Sequence, residues 1–319
     1  MLCILYVIAV GTGLGIVGLL IERALPATAA RRWVWCAVIP LSFALPGFYR
    51  AQHTWSITSA FEQQAAHPPE HALAAASLTA LDPGWWRIVQ SYDPYINKLW
   101  IYSSALLVLW ALVNAARVSH LVWVSRRRQS ERGIPTVVDD VPVVVTDSLG
   151  PATVGLWRSR VLVPRWVLAL PGMQRKYLLR HEEEHRSAND ARLLFLASLP
   201  LIVMPWNLAL WWQLRRLRLA VEIDCDNRVV AALGDAPAYG GLLLRVAEAS
   251  NRGPRLQPAF LGGVGSLERR LTALLAPTPL RDVQRFLVPA IAMALLLVVL
   301  SAPHPVLGRA SQVPVAQHD

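Results

Sequence analysis

Two pairs of side chains in this sequence, each four residues apart, have the types that bind and use a metal ion. The first pair is His181 and His185, with three glutamates between them. On a helix this spacing places both imidazoles on one face, one turn apart, where they can hold a single zinc ion. Glu182 follows the first histidine and can reach a metal-bound water as a general base. The pattern therefore indicates hydrolytic metal chemistry.

The second pair, Glu222 and Asp226, lies further along the chain in a segment that is predicted to be helical from Leu214 to Leu233. A catalytic zinc ion held by two histidines needs a third protein ligand and keeps its fourth position for water. Glu222 can be that ligand. Asp226 can hydrogen-bond the far side of a ligand histidine and fix its orientation.

A solvated, charge-rich helix is the alternative explanation for the first pair. The two glutamates that follow Glu182 favour this alternative, because a buried catalytic helix more often places an apolar residue there. The segment from Met173 to Ala188 has no internal glycine or proline, and Pro171 and Gly172 precede it, so a helix is predicted in either case. The presence of the second pair favours the metal site.

The composition indicates a membrane protein. The chain has 319 residues, of which 54% are hydrophobic and only 16% are charged, a low charge content for a soluble protein. The net charge is +10, and the arginines cluster beside apolar runs, as at the ends of membrane helices. No DNA- or RNA-binding motif is present, so direct contact with nucleic acid is not expected. The cysteines show no metal-type spacing, and Cys3 and Cys36 lie in apolar runs, so disulfides are not expected.

Four apolar runs are predicted to cross the membrane. The first, Leu2 to Ile21, is uncharged and long enough to span a bilayer. The others are 33–48, which is short and contains two prolines, 99–124 and 286–301. A secretory signal peptide is the alternative for the first run, because Ala27-Thr28-Ala29 is similar to a cleavage site. No positive charge precedes the run and its length is excessive for a signal peptide, which favours a retained span.

The positions of the arginines predict the orientation of these spans. By the positive-inside rule, the Arg23–Arg32 turn and the Arg126–Arg132 segment are cytoplasmic. The N-terminus and the 49–98 loop are then outside, and the helix that carries His181 is on the cytoplasmic side. The predicted organisation is a transmembrane hairpin at 1–48, an extracytoplasmic loop at 49–98, a third span at 99–124, a cytoplasmic domain at 125–285, a fourth span at 286–301 and a short outer tail at 302–319.

The run from Leu193 to Trp212 is apolar enough to span the membrane, which conflicts with the metal site. If it crossed once, His185 and Glu222 would lie on opposite sides of the bilayer and could not share an ion. Prolines 200 and 205 interrupt the run near its middle. We therefore expect a re-entrant or interfacial helical hairpin at 193–212; the alternative is that the metal site is wrong.

Residues 125–190 are predicted to form a small α+β unit. Val141 to Val145 and Ser159 to Pro164 have the apolar, β-branched composition of strands. A strand near a protease helix often binds extended peptide by edge pairing. That role is a hypothesis here, and ordinary core strands are the alternative.

These features together resemble the BlaR/MecR-type membrane zinc peptidases, a family of signal-transducing antirepressor metalloproteases. The resemblance covers about residues 100–285, and the flanking spans agree with it in number and orientation. The matching residues are His181-Glu182-x-x-His185 followed by Asp190, then Glu222-x-x-Cys225-Asp226, and upstream Thr153-Val154-Gly155-Leu156 and Val161-Leu162-Val163-Pro164. The resemblance implies a mainly α fold, with about four transmembrane helices plus a cytoplasmic α+β zincin-like metallopeptidase domain.

The gluzincin-type arrangement of this family implies Zn²⁺ as the cofactor, His181, His185 and Glu222 as its ligands, and Glu182 as the catalytic base. It also implies a location in a bacterial-type inner membrane, and cleavage of the receptor itself or of a cytoplasmic repressor after an outside signal. The partners are then the lipid bilayer and a repressor protein, with a homodimer left open. A constitutive quality-control protease and a non-catalytic sensor or scaffold are the alternatives.

One departure from the family concerns the signal. Antibiotic-sensing members carry a large extracellular penicillin-binding domain after the last span, whereas residues 302–319 alone follow it here. No Ser-x-x-Lys acylation motif precedes Lys98 or Lys176. Direct β-lactam sensing is therefore not expected, and the 49–98 loop or a partner protein is expected to be the sensor.

Several residues around the predicted site have two interpretations each. Asp190 either anchors the end of the catalytic helix or is simply a capping residue. Cys225 is close to the site, and a small buried residue is the favoured interpretation. For the group that stabilises the oxyanion, Arg228, Tyr239 and Arg252 are candidates.

Overall fold

The computed structural model describes residues 2–25, 30–46, 93–133, 136–146, 150–250, 264–275 and 290–297. Within these ranges the chain is mainly helical, with one small sheet. Most of the predicted outer loop and the whole predicted tail lie outside the described residues. Of the predicted fourth span only 290–297 is described, and it is helical.

Two helices are long and apolar enough to cross a membrane, as judged by length and composition among the described residues. They are α1 (Leu2–Ala24) and the 39-residue helix α3 (Asp93–Glu131). Between them lies α2 (Arg32–Pro46), a shorter apolar helix. The large apolar side chains of α3 are exposed, Leu99 to 69% of its surface and Leu106 to 66%. Such a surface suits contact with lipid rather than with water.

The sheet has four strands in the order β1-β2-β4-β3, and it contains both predicted strands. These are β1 (Val137–Val138), β2 (Val141–Thr146), β3 (Ala152–Val154) and β4 (Arg160–Pro164). Strands β2 and β4 pair in parallel in the middle, while β3 is antiparallel to β4 and forms an edge. The turn from β1 to β2 is made by Asp139 and Asp140, which have φ values of 48° and 65°; aspartate tolerates this left-handed conformation better than most residues.

The remaining helices surround the sheet and extend away from it. They are α4 (Arg165–Leu168), α5 (Gly172–Ser187), α6 (Asp190–Val203), α7 (Leu208–Leu233), α8 (Ala236–Ser250) and α9 (Val264–Leu275). Helix α10 covers 290–297.

The apolar segment 193–212 is divided into the end of α6 and the start of α7, which pack against each other as a helical hairpin. Its turn, at residues 204–207, contains Pro205, and Asn207 then caps α7: its Oδ1 atom accepts the backbone N–H groups of Ala209 and Leu210. A side-chain cap of this kind satisfies donors that a helix start leaves free. The chain therefore returns towards its starting point instead of continuing in one direction.

Two hydrophobic cores hold these elements, and α7 contributes to both. The first lies between the sheet, α5 and α8, and includes Val161, Leu179, Cys225 and Val229. The second lies between α1, α2, α6 and α7, and includes Leu14, Trp35, Leu201, Leu210, Leu214 and Leu217. Each such side chain, fully buried, contributes about 1.5–3 kcal/mol relative to exposure.

Small residues let α1 approach α7 closely. A Cβ atom at Gly15 would come within 2.3 Å of the Trp212 ring, and one at Gly11 within 3.2 Å of the Cβ of Ala209. The backbone of Gly11 also accepts a hydrogen bond from the buried Gln213 amide at 2.7 Å. Close backbone approach at small residues is how helices pack in membranes.

Candidate metal centre

Helix α5 carries both histidines of the motif on one face, as their spacing predicts. Their Nε2 atoms lie 3.2 Å apart. The Nδ1 atom of His185 lies 2.8 Å from Oδ2 of Asp190, and Nδ1 of His181 lies 2.8 Å from the hydroxyl of Tyr239. Each imidazole therefore turns its Nε2 atom towards the other and its Nδ1 atom towards a hydrogen-bond partner.

Glu222 joins the two histidines from the returning arm of the hairpin. Its Oε2 atom is 3.7 Å from Nε2 of His181, and its Oε1 atom is 3.8 Å from Nε2 of His185. The hairpin makes this meeting possible, because α6 leaves the site and α7 comes back to it. The structure thus brings together the three side chains for which the sequence predicts metal ligation.

The donor set fits a cation. The hydroxyl of Tyr239 donates to Asp226 at 2.7 Å, so it accepts the Nδ1–H of His181, and the carboxylate of Asp190 likewise accepts the Nδ1–H of His185. When both imidazoles are neutral, these hydrogen bonds place the protons on Nδ1, and both Nε2 atoms then carry lone pairs that face each other and the Glu222 carboxylate. A divalent metal ion would satisfy all three groups at once.

Cys225 is a second candidate for the third ligand. Its side chain is fully buried, and Sγ lies 3.3 Å from Nδ1 of His181. Ligand atoms of His181, His185 and Cys225 all fall within 4.8 Å of one another. Burial raises the pKa of the Cys225 thiol to about 11, which favours a neutral thiol over the thiolate that binds metals. Sγ lies at the Nδ1 side of His181 and also interacts with the His185 side chain, so Cys225 is within reach of both histidines.

Asp226 reaches its histidine through another side chain. Its Oδ1 atom is 3.4 Å from Nδ1 of His181, and the Tyr239 hydroxyl bridges the two. The same carboxylate accepts two hydrogen bonds from Arg270 of α9, at 2.7 and 2.8 Å. Asp226 therefore lies beside the ligand that the sequence predicted for it, with Tyr239 and Arg270 as partners.

Arg270 also contacts the predicted ligand Glu222, with Nη1 2.9 Å from Oε2. Burial alone would raise the pKa of Glu222, but the charge of Arg270 and the adjacent histidines outweigh this and lower the pKa. Burial and the neighbouring cations also lower the pKa of His181. The protein therefore favours an anionic Glu222 and a neutral His181, the forms that coordinate metals. Burial opposes the charged form of His185, but its hydrogen bonds to Asp190 and Cys225 and the charge of Glu222 raise its pKa, so a metal ion that binds here displaces a proton from His185.

Asp190 is the first residue of α6 and makes direct contact with a predicted metal ligand. One carboxylate oxygen accepts from His185, and the other accepts from Nη1 of Arg32 at 2.9 Å. Its side chain is 3% exposed. Asp190 thus contacts His185 in addition to starting a helix.

Glu182, the predicted base, is buried at the edge of the sheet. Its Oε2 atom is 3.1 Å from Oγ1 of Thr153 in β3. The same Oγ1 atom lies 2.8 Å from the backbone oxygen of Glu182. Burial raises the pKa of Glu182, while His185 and the Thr153 hydroxyl oppose this shift. The carboxylate therefore lies between α5 and the edge strand β3.

The candidates for oxyanion stabilisation have other partners. Nε of Arg228 donates to Glu184 at 2.8 Å, and Tyr239 bridges Asp226 and His181. Arg252 lies outside the described residues. Arg270 and Arg32 were not predicted at the site, because no spacing rule connects a lone arginine to a carboxylate far away in the chain.

Comparison with known proteins identifies a family for this chain. The family model described as BlaR1 peptidase M56 matches residues 4–274. No match was found among the curated proteins. The matched region includes nearly all of α1, the whole of α2 to α8 and nearly all of α9, and so every residue of the centre described above. The chain belongs to the BlaR1 peptidase M56 family, and is thus a membrane-associated metallopeptidase of that family.

Proposed function

We propose that this chain is a membrane-embedded zinc endopeptidase that responds to an extracytoplasmic signal by cleaving itself or a cytoplasmic transcriptional repressor. The observation that carries the proposal is the convergence of His181, His185 and Glu222 from two helices, with Glu182 on the same helix as the histidines. A solvated helix would not bury its motif or direct both Nε2 atoms at a carboxylate.

Zinc fits this donor set better than the other common divalent ions. Two imidazoles and one carboxylate, with a position left for water, are a usual ligand set for catalytic zinc. Tetrahedral bonds of about 2.0–2.1 Å place ligand atoms about 3.3 Å apart, close to the 3.2 Å between the two Nε2 atoms. When bound, zinc supplies Lewis-acid activation of a water and of the scissile carbonyl.

The protein's own contribution to the reaction is orientation and proton transfer. Glu182 takes the proton of the attacking water at a carboxylate oxygen and passes it to the leaving amine. Asp190 and the pair of Tyr239 and Asp226 hold the Nδ1 atoms of the two ligand histidines, which fixes their rings and tautomers. Arg270 holds Glu222 at one oxygen and leaves the other free.

Strand β3 is a suitable place for the substrate. It is the edge of the sheet, it lies beside α5, and Thr153 connects it to Glu182. An extended peptide can pair with such an edge through its backbone. The peptide-binding strand would then be β3, rather than β2 or β4, the two strands that the sequence analysis identified and that are central in the sheet.

We further propose that the chain crosses the membrane about four times, with the metal centre at the cytoplasmic surface and the N-terminus outside. In support, the arginine at the start of α2 and the arginine-rich end of α3 lie on the side of the metal centre and its sheet. Arg32 contacts Asp190, and Gln129 contacts the backbone of β2. The helical hairpin of α6 and α7 then enters the membrane from the cytoplasmic side and returns.

Metal content of the purified protein tests the proposed site. We expect near-stoichiometric zinc in the parent, and its loss in both His185→Ala and Glu222→Ala. The Cys225→Ser variant is the matched control and should keep its zinc, since the proposed ligands remain. Loss of zinc in Cys225→Ser, with zinc retained in Glu222→Ala, would identify Cys225 and not Glu222 as the third ligand. A metal-free parent would favour a sensor or scaffold without catalysis.

A smaller effect is expected at the edge strand. Thr153→Val removes the hydroxyl that contacts Glu182 but keeps the shape of the side chain. Because a hydrogen bond to a charged group contributes about 1.5–3 kcal/mol, we expect a drop in peptidase activity of roughly 10-fold or more. Zinc content should not change. Activity equal to the parent would show that Thr153 does not position the base.

A further inference from the structure

The first residue of α2 is joined to the metal centre by a continuous set of hydrogen bonds. Nη1 of Arg32 donates to Oδ1 of Asp190 at 2.9 Å, and Oδ2 of Asp190 accepts from Nδ1 of His185 at 2.8 Å. The Arg32 and Asp190 side chains are 13% and 3% exposed. A charge-assisted contact with this little water is strong and directional.

A second contact fixes the start of α2 to the other arm of the hairpin. The carboxylate of Asp224 in α7 accepts the backbone N–H groups of Arg31 and Arg32, each at 3.2 Å. These donors lie at the start of α2, where a helix leaves its first N–H groups free and attracts negative charge. Asp224 is only two residues from Glu222, so both arms of the metal site contact the first turn of α2.

Helices α1 and α2 are also connected to α7 by a second set of buried polar contacts. Glu22 of α1 accepts from Nε1 of Trp35 at 2.8 Å and from Nη2 of Arg216 at 2.8 Å. Glu22 and Trp35 are buried. A displacement of α1 and α2 relative to α7 must therefore break buried polar contacts, or move the residues that hold the metal ligands.

We propose that Arg32 is a positioning residue of the metal centre, which makes the placement of the α1–α2 hairpin a determinant of metal-ligand geometry. This inference rests on the proposed metal site, and it adds a means by which that site is regulated. With Arg32 in place, Asp190 is held by a cation on one oxygen and orients His185 with the other. When α2 shifts, Asp190 is released, and the orientation of His185 is no longer fixed.

The proposal predicts that the side chain of Arg32 changes metal affinity although it lies outside the ligand set. Arg228 is a second arginine near Asp190, with Nη2 3.9 Å from Oδ2, so loss of Arg32 leaves partial compensation. Removing a direct partner of a ligand histidine typically costs about 10–100-fold in metal affinity, and we expect roughly three- to tenfold for Arg32→Gln, which acts one contact further away.

Arg31→Gln is the matched control. Arg31 is the preceding residue, and its backbone also donates to Asp224, but its side chain contacts the backbone oxygen of Leu25 instead of Asp190. The full-length protein in detergent would be titrated with zinc against a chromophoric chelator. We expect weaker binding in Arg32→Gln, unchanged binding in Arg31→Gln and partial recovery in Arg32→Lys, which keeps the charge.

A double-mutant comparison separates positioning from a general loss of structure. If Arg32 acts through Asp190, adding Arg32→Gln to Asp190→Ala should weaken zinc binding by less than about twofold beyond Asp190→Ala alone. The visible spectrum of the cobalt-substituted protein, which reports ligand geometry, should change in Arg32→Gln and stay unchanged in Arg31→Gln.

The outcomes distinguish this inference from the proposed function. Equal zinc affinity and equal cobalt spectra in parent and Arg32→Gln, with zinc still lost in His185→Ala, would overturn the inference and keep the metal site. Fully additive effects of Arg32→Gln and Asp190→Ala would also overturn it. A parent that binds no zinc would remove the proposed function, and with it the basis of the inference.

Discussion

Glu182→Gln should abolish most peptidase activity while zinc remains bound. The amide keeps the size of the carboxylate but cannot take a proton from water, and general base catalysis contributes about 10²–10⁴-fold to rate. Because Glu182 is not a ligand in the proposed set, the metal content should equal that of the parent. The assay is hydrolysis of a fluorescently labelled unfolded protein, with zinc measured in the same samples.

The adjacent residue provides the control for this experiment. Glu183 pairs with Arg186 at 2.6 and 2.7 Å on the outer side of the same helix, so Glu183→Gln makes the same chemical change away from the centre. We expect its activity to stay within about twofold of the parent, as is usual for surface substitutions. Glu182→Gln activity within tenfold of the parent would assign the base to another group.

Among these variants, Arg270→Met should cause the largest loss in the free energy of unfolding of the metal-free protein. Arg270 is the shared partner of Asp226 and Glu222, so its removal leaves a buried Asp226 carboxylate without its cation. Breaking a buried ion pair from one side costs about 3–5 kcal/mol. Glu222 is 34% exposed and regains water, which places the expected cost near 3 kcal/mol. Thermal unfolding of the metal-free protein should show a fall in Tm of about 5–10 °C.

Two further variants test the cause of that loss. Arg269→Met removes the neighbouring arginine, which is exposed, and should leave Tm nearly unchanged. Adding Asp226→Asn to Arg270→Met should recover part of the stability, because the uncompensated charge disappears while the shape is kept. An Arg270→Met protein as stable as Arg269→Met would mean that the buried carboxylates find other compensation.

Periodicity accounts for the parts of the site that the sequence predicts. His181 and His185 are one helical turn apart, so their meeting needs only that α5 be a helix. The link to Glu222 depends on the break at residues 204–207, which Pro205 and Asn207 favour locally. The hairpin was therefore predictable. If the apolar run 193–212 crossed the membrane once, it would separate His185 from Glu222, so a shared metal site requires the chain to turn back.

The partners of these residues depend on tertiary contacts that no local pattern encodes. Arg270 meets Asp226 across 44 positions of the chain, and Arg32 meets Asp190 across 158. The arginine of the first turn was predicted only as a marker of membrane orientation. Strand β3 has three residues, too few for an alternating pattern, so its place at the edge beside Glu182 becomes visible only in the fold.

The course of α7 through both hydrophobic cores has a consequence for how the chain can be divided. Leu210, Leu214 and Leu217 pack among the apolar helices, whereas Cys225 and Val229 of the same continuous helix pack under the sheet. A soluble fragment that begins after α3 would keep the complete ligand set but lose α1 and α2 from one side of that helix. It would expose a leucine-rich surface and aggregate. We therefore expect α1 and α2 to be needed for the helix that carries Glu222 to fold, because one continuous helix is part of both cores.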